Sequence, residues 1–236
     1  MVCLSDTHGL HDGLELPEGD ILVHAGDVCN HGSLVEGVRF QGWFKSVGDY
    51  QHGVLIAGNH DRAFEDDALI RGLMPENIHY LNDSGVTIGG LRFWGSPVTP
   101  FFRNWAFNRH EDEIGRHWAK IPDGVDVLIT HGPPQGILDR ILDGEEVGCP
   151  QLLKVVRRIQ PQLHLFGYIH EGHGTEVHGP TRFVNASICT VEYEPIHLPI
   201  STRVSFQNCS FVDLRPVSDC SQDKMTVWRA SHDLCP

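Results

Sequence analysis

Five times in this chain a short apolar run stops abruptly at carboxylate, amide or imidazole side chains. The clearest case is Leu55-Ile56-Ala57, which opens through Gly58 into Asn59-His60-Asp61. Val2-Cys3-Leu4 leads into Ser5-Asp6-Thr7-His8 in the same way, and Ile21-Leu22-Val23-His24-Ala25 into Gly26-Asp27. Val127-Leu128-Ile129 leads into Thr130-His131-Gly132, and Leu163-His164-Leu165-Phe166 into Gly167-Tyr168-Ile169-His170. Apolar runs this short, bounded by glycine, read as buried strands. Open α/β sheets place their ligands beyond the carboxyl ends of such strands. Any one of these polar residues could be a plain loop group or helix cap. As an ordered set they describe one metal-lined crevice.

The intervening segments alternate accordingly. Residues 34–50 read as an amphipathic helix, with Leu34, Val38, Trp43, Phe44 and Val47 as its apolar face. A helical stretch at 62–71 is broken near Gly72 and Pro75. Residues 78–81, 86–88 and 91–95 read as short strands joined by Asn82-Asp83-Ser84-Gly85 and Gly89-Gly90 turns. Such hairpins suggest a second, more antiparallel sheet. Residues 96–109 form an aromatic-rich loop that either packs on the sheet or walls a pocket. Helices follow at 111–121 and 149–159, the latter stopped by Pro161, and residues 177, 183–187 and 196–198 complete the strands.

The chain has 236 residues, 40% of them hydrophobic, enough for one domain with a sizeable core. We place that domain at residues 1–200 and assign 201–236 to a peripheral, poorly ordered C-terminal segment in which 204–214 could supply one strand. Lys and Arg total 18 against 31 for Asp and Glu, a formal charge of -13. That balance excludes a nucleic-acid polymer as partner, because such binding needs clustered basic groups. A small phosphorylated substrate stays open, since bound cations reverse the local field. No apolar run reaches the roughly 18 residues that a membrane span needs, so no membrane partner is expected and the location is read as cytoplasmic. The seven cysteines lack paired CxxC spacing, which argues against a disulfide framework or a cysteine zinc site; Cys3, inside a strand, reads as core.

Asp6 and His8 stand two apart on a turn and can face one ion. Asp27 follows Gly26, and its two oxygens can bridge two cations about 3.5–4 Å apart, as in two-metal hydrolases. Asn59 offers a neutral amide oxygen and His131 a neutral imidazole. Mixed oxygen and nitrogen donors suit several metals.

Taken in order, Asp6-x-His8, Gly26-Asp27, Gly58-Asn59-His60-Asp61, Thr130-His131-Gly132 and Gly167-Tyr168-x-His170 resemble the successive blocks of the calcineurin-like metallophosphoesterases. Gly95-Ser96-Pro97, Trp105-Ala106-Phe107-Asn108 and Gly148-Cys149-Pro150 are similar to the metallophosphoesterase-domain branch, which includes the brain and fetal-brain proteins and belongs with the class III phosphodiesterases. The resemblance covers roughly residues 2–200. It implies a four-layered α/β/β/α sandwich with mixed sheets and two divalent metal ions. Mn²⁺ is the first choice, with Fe, Zn, Ni, Mg or Co as alternatives.

By the same resemblance Asp6, His8, Asp27 and His170 hold the first ion, and Asp27, Asn59 and His131 the second. His60, paired with Asp61, assists the leaving oxygen. Tyr168 stands where the family usually has histidine. A phenol must lose a proton to become a strong ligand, so Tyr168 is at most a weak ligand or a substrate contact, and the second site is expected to be the weaker. His173 is a conceivable substitute, Glu171 could orient a histidine, and Trp105 and Phe107 are read as wall packing before base stacking. Asn185 is left outside the site. The implied activity is a metal-dependent phosphodiesterase acting on small nucleotide phosphodiesters, cyclic ones included, with metal-activated hydroxide as nucleophile. Its rivals are a weakly active or inactive nucleotide-binding regulatory protein and a phosphomonoesterase. The oligomeric state is left open.

Overall fold

The computed structural model describes residues 1–205 and 226–229. In chain order the strands are β1 (Val2–Leu4), β2 (Ile21–Ala25), β3 (His52–Ile56), β4 (Ile78–Tyr80), β5 (Ser84–Ile88), β6 (Leu91–Ser96), β7 (Thr99–Pro100), β8 (Asn108–Arg109), β9 (Val127–Thr130), β10 (Leu163–Phe166), β11 (Gly174–His178), β12 (Thr181–Asn185), β13 (Ile200–Ser201) and β14 (Thr226–Arg229). The helices are α1 (Leu34–Ser46), α2 (Asp67–Leu73), α3 (Glu111–Trp118) and α4 (Pro150–Ile159).

Two mixed sheets result. The first has the order β13-β1-β2-β3-β4, and the second β11-β12-β10-β9-β6-β5-β14. Strands β1 to β4 run parallel, as do β6, β9, β10 and β12, while antiparallel strands close the β13 edge of the first sheet and both edges of the second.

The alternation of side chains along each strand sorts the apolar residues into three separate cores. Val2, Leu4, Leu22 and Leu55 face outward onto Phe40 and Phe44 of α1. Cys3, Val23, Val54 and Ile56 face inward, against Phe93, Ile129, Leu165 and Val184 of the second sheet. On the far side Trp94, Leu128 and Phe166 meet Ile114 and Trp118 of α3 and Leu152 and Val156 of α4. Three cores between four layers make the α/β/β/α sandwich.

The sheets are also welded at one end. The Ser5 N–H donates to Ala186 O and the Ile188 N–H to Ser5 O, each at 2.9 Å, so a parallel bridge joins Ser5 of the first sheet to Ser187 beyond β12.

Local expectations are adjusted in four places. The buried face of α1 is Gly37, Phe40, Gln41 and Phe44, while Leu34 and Val38 are exposed, because the larger rings of Phe40 and Phe44 take the contact with the first sheet. The segment 62–71 divides into a 3-10 turn (Arg62–Glu65) and α2 at Asp66, whose carboxylate caps Leu69 N. Residues 196–198 are not a strand. Ile196 and Leu198 are exposed, and the pairing with β1 falls to Ile200–Ser201. The loop 96–109 carries two short strands, β7 and β8. Of the candidate strand 204–214, all but the first two residues lie outside the described residues, as does most of 216–236; within that stretch Thr226–Arg229 pairs with β5. No helix among the described residues is long and apolar enough to cross a membrane. Cys3 is buried in β1, and Cys3, Cys29, Cys149 and Cys189 are free thiols.

Candidate metal centre

Five strand ends converge. Asp6 and His8 follow β1, Asp27 follows β2, Asn59 and His60 follow β3, His131 follows β9, and Tyr168 and His170 follow β10. Asp6, His8 and His170 present donor atoms within 4.8 Å of one another, and so do Asp6, Asp27 and His131, and His8, Asp27 and His60. The His131 Nε2 lies 2.8 Å from Asn59 Oδ1 and 3.3 Å from Asp27 Oδ1. His170 Nε2 is 3.4 Å from Asp6 Oδ1 and 3.3 Å from His8 Nε2.

The backbone is bent to achieve this. Asp6, His8, Asp27 and Tyr168 all have left-handed φ, between 45° and 69°. Such angles are uncommon outside glycine and an outlier for a bulky tyrosine, and they cluster where a site overrides local preference. Two glycines make the approach possible. A Cβ at Gly58 would collide with Asp27 Oδ1, and one at Gly167 with Asp6 Oδ2.

The imidazoles are oriented from behind. His131 donates Nδ1–H to Ala25 O (2.9 Å), His170 to Thr190 O (2.9 Å) and His60 to Asn30 O (2.8 Å). A carbonyl can only accept, so each ring carries its proton on Nδ1 and leaves Nε2 for the cluster, the arrangement typical of metal-binding histidines. His8 Nδ1 is buried without a hydrogen-bond partner.

Asp6 is fully buried and Asp27 nearly so. Burial opposes their charge, but His170 beside Asp6 and His131 beside Asp27 hold both carboxyls below the usual carboxylate range. Burial likewise opposes charge on the two imidazoles, yet Asp27 lifts His131 and Asp6 lifts His170, each to about 9. His8, with burial dominant, falls to about 4. Two buried carboxylates facing imidazole nitrogens, with no lysine or arginine in any of these groups, form a donor set that fits divalent cations of mixed O and N preference.

The cluster opens into a cavity of about 630 Å³. Its walls are largely aromatic, from Phe101, Phe102, Trp105, Tyr168 and Tyr193, with Arg103 the cation among its lining residues. Trp105 stacks on the His60 ring at 4.2 Å between centroids, so it acts as wall and clamp, whereas Phe107 is buried in the core.

Several sequence expectations change here. Asp61 does not pair with the His60 imidazole. It is fully buried, and its carboxylate accepts from the backbone N–H groups of Val28, Cys29 and Gly58. Burial and the charge of Asp27 push its carboxyl up to about 7 against the pull of these three donors, and through them Asp61 braces the β2 and β3 loops. Tyr168 places its ring edge-on to His131 at 5.4 Å, and its N–H donates to Asp6. Burial pushes its phenol up to about 12. His173 stacks on His197 and lies outside the donor groups. Glu171 accepts from Leu142 N rather than from a histidine.

Asn185, set aside in the sequence, stands directly behind the cluster. Its amide donates to Ile169 O and Leu138 O and its oxygen accepts from the Ser187 N–H at 3.2 Å, while the single Ser187 hydroxyl proton lies within reach of Asp6 Oδ2 at 2.8 Å and Asn185 Oδ1 at 2.9 Å. Tyr193 was missed. Its φ is 63°, and its ring meets His8 edge-on at 4.7 Å. Asn185 does end an apolar run, at the carboxyl end of β12, and that signal could have found it, whereas Tyr193 follows no strand and carries no such mark.

The family model described as calcineurin-like phosphoesterase matches residues 2–172. Metallophosphoesterase domain-containing protein 1 of Homo sapiens is 42% identical over 225 residues, spanning 84% of this chain and 69% of the relative. A UPF0046 protein of Caenorhabditis elegans is 39% identical over 204 residues, spanning 80% and 69%. Among solved structures, phosphopantetheinyl hydrolase from Mycobacterium tuberculosis shares the fold with a TM-score of 0.58 at 14% identity, covering 90% of this chain and 97% of its own.

Proposed function

Since the chain belongs to the calcineurin-like phosphoesterase family, whose members are metal-dependent phosphoesterases, we propose that it is a phosphodiesterase acting on small nucleotide phosphodiesters, cyclic nucleotides included. The observation that carries this reading is the set of donor groups sharing Asp6, His8 and Asp27 at the floor of an aromatic-walled cavity. In this reading Asp6, His8, Asp27 and His170 hold one divalent ion, and Asp27, Asn59 and His131 hold another, with Mn²⁺ as the first choice. Bound cations would supply Lewis-acid stabilisation of phosphoryl oxygens and a water of lowered pKa.

The chain's own groups do the rest. Asp27 Oδ1 is fixed by the His60 N–H at 2.8 Å, which keeps that carboxylate between the two halves of the cluster. His60, with Nδ1–H committed to Asn30 and its face against Trp105, turns Nε2 toward the cluster, and in the imidazolium form its Nε2–H would pass to the departing oxygen, leaving the neutral ring with its proton on Nδ1. Trp105 and the exposed Phe101 and Phe102 offer flat apolar surface to a base, and the half-buried wall excludes water from one side of the phosphate.

A second reading, a nucleotide-binding protein of low turnover, is favoured by one observation: a phenol, ordinarily protonated near neutral pH, lies against His131. Metal analysis of the purified protein, together with Mn²⁺-supported hydrolysis of bis(p-nitrophenyl) phosphate, p-nitrophenyl phosphate and cyclic nucleotides, tests both. Preference for the diesters is the expected result. Faster cleavage of the monoester would make it a phosphomonoesterase, and full metal occupancy without turnover would support the binder.

A further inference from the structure

Behind His60 lies a chain of contacts that begins in a helix cap. The carboxylate of Glu36, in the first turn of α1, gathers four donors: Oε1 accepts from Asn30 N and His31 N, both at 3.1 Å, and Oε2 from Ser33 N at 2.9 Å and Ser33 Oγ at 2.7 Å. Of these four a capping box needs only the Ser33 N–H, its other half being the Glu36 N–H donated to Ser33 Oγ. The contacts to residues 30 and 31 lie upstream of the cap and draw the loop between β2 and α1 into a tight arc. Although partial burial works against its charge, these donors pull the Glu36 carboxyl down to about 2, so it stays ionised at any pH where the protein works.

That arc grips the His60 turn at two points. Asn30 O receives the His60 Nδ1–H at 2.8 Å, and Gly32 O receives the Ala63 N–H at 3.0 Å. The same peptide segment whose N–H groups are tied to Glu36 therefore supplies the carbonyl that sets the His60 tautomer. Trp105 limits ring tilt but cannot select which nitrogen carries the proton. Asn30 itself is exposed, and Glu36 holds the peptide that carries its carbonyl by accepting from His31 N, while Asp61 anchors the loop one residue upstream at Cys29 N.

We infer that Glu36 is a positioning residue for His60: through Asn30 and His31 it holds the carbonyl that receives the His60 Nδ1–H, and so keeps Nε2, with the second proton that the imidazolium form carries there, turned to the cluster. This rests on the reading of His60 as the group that assists the leaving oxygen. Ser33 offers an internal control. Its hydroxyl accepts from Glu36 N and donates to Glu36 Oε2, but it touches neither Asn30 nor His31, and the bonds of Glu36 to Asn30 N, His31 N and Ser33 N are made without it.

The test is made on the full chain, with ¹⁵N-histidine spectra of metal-free and zinc-loaded protein beside turnover of bis(p-nitrophenyl) phosphate with Mn²⁺. The hydrogen-bonded Nδ1–H of His60 is assigned by its loss in His60→Ala. Glu36→Ala should abolish or shift that signal and lower kcat about tenfold with KM within about twofold, since a misplaced general acid is a transition-state loss. Glu36→Thr, too short to reach residue 30, should act likewise if the alanine variant does not fold. Glu36→Gln, which keeps an acceptor for Asn30, should restore the signal and most of kcat. Ser33→Ala should lower thermal stability and leave the His60 signal unmoved. An unchanged signal in Glu36→Ala, or an equal loss of signal and turnover in Ser33→Ala, overturns the inference. If the signal responds as expected while kcat stays level in both Glu36→Ala and His60→Ala, the positioning stands and it is the role of His60 that falls.

Discussion

On one side of Asp27 stand Asp6, His8 and His170; on the other stand Asn59, His131 and Tyr168. The first group brings a second buried carboxylate and two imidazoles, and it is braced from behind by Ser187 Oγ, the Tyr168 N–H and Thr190 O. The second brings one imidazole, a neutral amide and a phenol, with Ala25 O as the brace of His131. The contrast teaches that charge and support are unevenly divided around a single shared anion. A change at one position, Tyr168, bears on one half and leaves the other complete.

The largest effect should come from the residue common to both. Asp27→Asn removes negative charge from the two halves at once, so metal content and turnover should fall together, with kcat/KM down about 1000-fold or more. Elemental analysis beside steady-state kinetics reads this directly. Loss of a single metal equivalent would show that Asp27 belongs to one half only.

Next in size is His60→Ala. It should reduce kcat by about 100-fold, within the range for one general acid, while metal content stays nearly intact. Loss of metal on this change would move His60 into the ligand set, where its proximity to His8 and Asp27 would then place it.

Tyr168→His probes the weaker half. An imidazole needs no deprotonation, so the variant should bind the second Mn²⁺ about 10-fold more tightly near pH 7. Two unequal binding events in the native protein should become more nearly equal. The advantage should shrink as pH or metal concentration rises, because either helps the native site fill. If calorimetric titration shows no tightening at any pH, the phenol is not the weak point.

The smallest effect is expected for Asn185→Ala, which removes support from Ser187 and the 169 carbonyl without touching a donor atom. First-half affinity should fall a few-fold, roughly the lower end for loss of a supporting contact, and second-half affinity should hold. Equal weakening of both would mean that the two halves are not separately supported.

The convergence of five strand ends was legible because apolar leads, small glycines and polar termini all lie in short contiguous stretches. Asp6, His8, Asp27, Asn59, His131 and His170 could be read that way. The part played by Asp61 could not: a carboxylate next to a histidine in sequence invites pairing, whereas its oxygens are claimed by N–H groups 32 and 33 residues away. Asn185, Ser187 and Tyr193 act only through neighbours brought by tertiary folding. The face of α1 was misjudged for a related reason. Leu34 and Val38 are apolar, but Phe40 and Phe44 take the contact with the first sheet and leave them outward. The strand placed at 196–198 likewise fell three to four residues ahead of Ile200–Ser201, since apolar content alone does not tell a strand from an exposed loop.

The bridge between Ser5 and Ser187 ties this chemistry to the order of events in folding. Asp6 takes a hydrogen bond from a hydroxyl 181 residues along the chain, and the peptide bonds beside it are shared between two sheets. Contacts of such separation are slow to form, because a long loop must close before they return anything. The first sheet can gather from neighbouring segments, yet its lead carboxylate acquires its partner only when β12 has docked. A chain in which only the first sheet has formed should therefore carry Asp6, His8, Asp27 and Asn59 together before His131 and His170 arrive from the second sheet. Once closed, the Ser5 and Ile188 amides should exchange with solvent only through the largest opening of the molecule, so hydrogen exchange at these two positions would time the birth and loss of the site.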